Sequence, residues 1–113
     1  MAHTPRTFTS LDAVTAAANG SSRRTRGPER ITVELNWTGQ PTAVDVRLEA
    51  RIGSGDWTQI GRDDQMTDAP ADADADFLYQ FEAVDGEIRL RLVTMTAGTS
   101  PTCTGKIRIG GVA

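Results

Sequence analysis

Residues 43–60 read AVDVRLEARIGSGDWTQI, and their period of two decides the fold. Val44, Val46, Leu48, Ala50 and Ile52 alternate with Asp45, Arg47, Glu49 and Arg51, the pattern of a strand with one buried and one wet face. Gly53-Ser54-Gly55-Asp56 turns the chain, and Trp57 to Ile60 returns as a short strand, so the stretch is a β-hairpin. Upstream, Ile31, Val33, Leu35 and Trp37 alternate with Thr32, Glu34 and Asn36. Downstream, Phe77, Tyr79, Phe81 and Ala83 form a strand, and Asp85-Gly86 is a two-residue hairpin turn into Ile88, Leu90 and Leu92. A phase slip through a bulge is expected near Met95, and Thr102 to Ile109 closes the domain with Ile107 and Ile109 inward. Both tryptophans, Trp37 and Trp57, fall in the inward phase.

About seven or eight short strands separated by turn signals imply an all-β antiparallel sandwich, Ig-like or jelly-roll-like. Residues 30–113 are expected to form it, and residues 1–29 an extended N-terminal arm ordered by a neighbouring subunit. Phe8 and Leu11 do not share one face of a regular strand, and the segment has too few apolar residues to fold alone.

The 113 residues suffice for one core, and 38% hydrophobic and 5% aromatic content suits a thin two-sheet interior. A net charge of −3 gives no reason to expect nucleic acid as a partner. Eleven of the twelve basic residues are arginine and aspartate outnumbers glutamate, which fits either a GC-rich genome or a salt-loving source. No stretch approaches the roughly 18 apolar residues needed to span a membrane. The polar start reads as lacking a signal peptide, so synthesis in the cytoplasm is expected.

Catalytic chemistry has little to work with. The one histidine, His3, stands near the start, and Cys103 has neither a histidine beside it nor a CxxC spacing. No phosphate-binding glycine loop is present, so no catalytic residue and no cofactor is assigned. Asp72, Asp74 and Asp76 crowd one segment and are candidate calcium ligands, against the plainer reading of an acidic, solvated loop. Phe8, Leu11, Arg23, Arg24 and Arg26 are the candidate interface residues, the arginines being suited to bidentate pairing with carboxylates.

Val46 to Ile52, four residues, then Trp57 to Ile60 resembles a hairpin frequent in small structural proteins of tailed viruses. Leu11 to Val14 and Thr38 to Val44 also look like that group, although Ala50, Arg51 and Gly53-Ser54 replace its usual glycine, serine and Asp-Gly turn. The resemblance implies a virion component: a capsid decoration or turret protein, or else a tail or baseplate protein, from a haloarchaeal or actinobacterial host. It would be a homo-oligomer in a symmetric assembly, contacting a major capsid or tail protein. A glycan-binding sandwich for host attachment is the competing reading, since similar hairpins occur in carbohydrate-binding modules.

Overall fold

The computed structural model describes residues 4–41, 43–60 and 76–110. Eight strands are present: β1 (Arg6–Val14), β2 (Ala18–Arg24), β3 (Glu29–Thr38), β4 (Ala43–Arg51), β5 (Thr58–Gln59), β6 (Asp76–Val84), β7 (Glu87–Thr96) and β8 (Thr102–Ile109). They make two four-stranded sheets, ordered β1-β8-β3-β6 and β2-β7-β4-β5, with every described pairing antiparallel. The chain therefore switches sheets at almost every connection, which is the strand order of a jelly roll rather than of an Ig sandwich.

Alternation explains the interior. Ile31, Val33, Leu35 and Trp37 of β3 face Val44, Val46 and Leu48 of β4 and Ile88, Leu90 and Leu92 of β7 in one continuous core. From β8, Cys103, Ile107 and Ile109 complete it. The expected slip near Met95 falls at Val93, where Asp45 opposes Thr94 and Val46 opposes Leu92, leaving Val93 as the extra residue.

Residues 6–24 supply one strand to each sheet, and their partners lie within the chain: β1 pairs with β8 and β2 with β7. A bulge reconciles the out-of-phase Phe8 and Leu11. Thr9 opposes Lys106 and Leu11 opposes Gly105, so Ser10 is inserted and Leu11 turns into the core at 1% exposure. Ser10 is buried too, and its hydroxyl joins the two sheets. It accepts a hydrogen bond from the Leu90 N–H at 2.9 Å and donates one to the Ser21 carbonyl at 2.7 Å. The second contact fills the gap opened by a bulge between Asn19 and Ser22 in β2. Gly20 is required there, because a Cβ would collide with Ser10 and come within 2.8 Å of the Leu90 carbonyl.

The β6–β7 turn is clamped from the same region. Gly86 has a φ of 138°, accessible only to glycine at low cost. Its N–H donates to Thr25 Oγ1 at 2.8 Å, and its carbonyl accepts from the Thr25 N–H at 2.9 Å. Thus residues of the expected arm hold two structural joints of the sandwich.

Candidate functional site

The two outer faces differ in electrostatic character. On the β2-β7-β4-β5 face, cross-strand register sets Glu49 opposite Arg89 and Arg51 opposite Glu87. Arg89 Nε donates to Glu49 Oε1 at 3.0 Å, Arg91 Nη1 lies 3.6 Å from Glu49 Oε2, and Arg51 Nε donates to Glu87 Oε1 at 2.9 Å. Arg47 pairs with Asp45 at 3.2 Å. Hydrogen bonds from Ser22 and Arg51 hold the Glu87 carboxyl below the usual carboxylate range.

Trp57 belongs to this lattice, which corrects its expected place in the core. The guanidinium groups of Arg51 and Arg89 lie 4.5 and 4.1 Å from its ring centroid, and the side chain is half-buried. The return strand that follows pairs Thr58 with Ala50 and Gln59 with Glu49. Trp57 itself precedes that pairing, so strand alternation does not govern its direction. Ile52, also expected inward, is 85% exposed because it sits in the turn. Trp37 is fully buried as expected.

On the β1-β8-β3-β6 face, Glu34, Lys106 and Arg108 form no ion pair among the described residues. With Thr7, Thr32 and Leu78 they line a shallow depression of about 300 Å³. Thr32 Oγ1 has no hydrogen-bond partner among the described residues, and Leu78 is 68% exposed. Its outward phase was readable between Phe77 and Tyr79, yet the sequence reading did not single it out.

The structure disperses the sequence-derived candidates. Phe8 is half-buried with the Arg23 guanidinium 5.1 Å from its ring centroid, and Arg23 Nη1 also donates to the Ser22 carbonyl at 2.7 Å. Arg24 and Arg26 are exposed, while their backbones are engaged: the Arg24 carbonyl accepts from Arg6, and the Arg26 N–H donates to Glu29 at 2.6 Å. Leu11 is part of the chain's own core and offers no surface to a neighbour. Asp72 and Asp74 lie outside the described residues, as does the side chain of Asp76. Among the described residues no group of three or more His, Cys, Asp or Glu side chains is placed to hold a metal ion. Cys103 is fully buried, and desolvation pushes its thiol up to about 11, so it is protonated and shielded rather than nucleophilic.

The molecule is thus a small jelly-roll sandwich that presents two contrasting outer faces. Its fold corresponds to that in the crystal structure of the SPBc2 prophage-derived protein YomS, with a TM-score of 0.66 at 18% identity, covering 94% of this chain and 92% of that one. It also corresponds to part of a structure of infectious bursal disease virus Gx strain, with a TM-score of 0.52 at 17% identity. That match covers 96% of this chain and 33% of the viral one, so the present chain spans about a third of its length. No protein-family model matches the sequence, and no curated protein matches it. At these identities the likeness is one of fold.

Proposed function

We propose that the protein is a non-catalytic structural component of a tailed-virus particle, a capsid decoration or turret protein, assembling with copies of itself and with another virion protein. The observation that carries this reading is the correspondence in extent with a prophage-derived protein, over nine-tenths of both chains. Two proteins of this size that share a jelly roll from end to end are comparable as whole building blocks, beyond sharing a module. The fold is also one that virus capsids use repeatedly. The buried thiol and the interlocked ion pairs are features of a rigid block and give no footing for turnover.

A glycan-binding role is less well supported. Trp57 carries two guanidinium groups and Trp37 is sealed in the core, which removes the aromatic platform such a site needs. The test is to purify particles from a host producing the protein and to quantify it by mass spectrometry, then to find its density by cryo-electron microscopy. Stoichiometric copies on the capsid surface are expected. Density confined to the tail would move the protein to a tail or baseplate role, and absence from particles would overturn the reading.

A further inference from the structure

Four strand edges close the two sheets, and three of them are poor templates. β1 is broken by register shifts on both sides of Leu11, β2 by a shift between Asn19 and Ser22, and β5 is two residues long. Bulges and short edges are the devices by which sheets avoid adding a foreign strand. β6 differs. It runs for nine residues, DFLYQFEAV, and pairs with β3 in unbroken register from Asp76 to Phe81, its one register shift lying beyond that run, between Phe81 and Val84. It contains neither lysine nor proline, and among the described residues no strand pairs with its outer edge. It also carries Leu78, one of the two large apolar side chains exposed among the described residues.

We propose that β6 is a self-pairing edge: two copies of this chain join antiparallel through it, with Leu78 opposite Leu78 of the second copy. A two-fold axis through this pair would make one eight-stranded sheet from the two β1-β8-β3-β6 sheets. In this register residue 77 opposes residue 79, a phenylalanine against a tyrosine in sequence, and aromatic cross-strand pairs are favourable. On the outer side the exposed leucines cover one another.

Charge permits this arrangement. Glu34 is the β3 neighbour of Leu78 and has Lys106 of its own chain as its β8 neighbour. At about 4.8 Å per strand, the two Glu34 residues of a pair would stand about 14 Å apart, beyond the roughly 8 Å reach of charges at physiological salt. Within two residues of the axis the register therefore opposes no like charges, Asp76 meeting Gln80 of the second copy. The opposite face could not serve as well, because its arginines and glutamates already satisfy one another. The contact is small, so it predicts a concentration-dependent dimer that a symmetric assembly would reinforce.

The inference stands on the free protein, separately from the particle reading. Sedimentation of the full chain should show a dimer growing with concentration, and Leu78→Lys should keep it monomeric. Leu78→Cys should form a disulfide-linked dimer under mild oxidation at least about tenfold faster than Ile52→Cys, because opposed strand positions suit a disulfide. Both substitutions are at exposed sites, so the fold is retained, and circular dichroism verifies it. A wild-type chain monomeric up to about 1 mM, a dimer indifferent to Leu78→Lys, or equal cross-linking of the two cysteine variants would each overturn the proposal. Dimers without incorporation into particles would count against the function alone.

Discussion

Replacing Ser10 by alanine removes one oxygen and disturbs three strands. Its hydroxyl accepts from the buried Leu90 N–H and donates to the Ser21 carbonyl. Each neutral hydrogen bond is worth about 0.5–1.5 kcal/mol net, while a buried group left unpaired costs about 1–3 kcal/mol. Ser21 is exposed and its carbonyl can turn to water, but the Leu90 N–H is buried. The larger figure therefore applies once and the smaller once, and Ser10→Ala should destabilise by about 1.5–4.5 kcal/mol. For a domain of this size that lowers Tm by roughly 6–18 °C. Urea unfolding and thermal melts followed by circular dichroism would measure it, with exposed Thr9→Ala as the control, expected within about 0.5 kcal/mol of wild type. Gly20→Ala should be destabilising in either background, since the Leu90 carbonyl still blocks a Cβ after the hydroxyl is gone. A Ser10→Ala variant melting within about 2 °C of wild type would refute the view that this hydroxyl joins the sheets.

Trp57→Ala removes two cation–π contacts at a half-buried site and should cost about 1–2 kcal/mol in urea unfolding while leaving the core intact. A loss above about 4 kcal/mol would return Trp57 to the core. Because its folded pKa is depressed, Glu87 contributes stability that is present above its ordinary value of 4.5 and is lost as pH falls through the folded value. Glu87→Gln should therefore flatten the stability profile below that point, and an unchanged acid limb would contradict the Ser22–Glu87–Arg51 pairing. Cys103 should resist thiol reagents at pH 8 in the native protein and react fully in urea. Its folded pKa is raised from 9.0 to about 11, so its contribution is present below pH 9 and declines as pH rises toward 11. Rapid native labelling would show that the core opens there.

Period-two alternation made β3, β4, β8 and β7 as far as Leu92 legible, because each of these runs has one buried face and an unbroken alternation. The Gly53–Asp56 turn was equally plain, whereas Asp85-Gly86, expected as a hairpin turn, carries the chain from β6 in one sheet to β7 in the other, a crossing that a local turn signal cannot reveal. β1 and β2 were not, for separable reasons. In β1 a single inserted residue, Ser10, puts Phe8 and Leu11 on the same side, and no pattern count anticipates an insertion. β2 reads ANGSSRR and has no large apolar residue at all, so backbone pairing to β7 and side-chain hydrogen bonds hold it in place of hydrophobic phase. Of the expected interface residues, the fold sets the Arg23 guanidinium over Phe8, whereas Leu11 lies in the interior. The pairing of Trp57 with Arg51 and Arg89 depends on β7 lying beside β4, a long-range fact that local sequence does not carry. The Leu78 edge was hidden by topology: only the strand order shows that β6 ends its sheet.

β8, the last described strand, lies between β1 and β3. A growing chain leaving the ribosome therefore has no completed first sheet until its final strand emerges, and β1 waits without a partner through most of synthesis. The Ala13 to Thr104 hydrogen bond closes a span of 91 residues. Closing such long loops before native contacts repay them makes folding slow. Shortening the protein by one strand at that end would remove the middle of a sheet rather than its margin, so nascent chains cut short there should be unfolded and open to proteolysis.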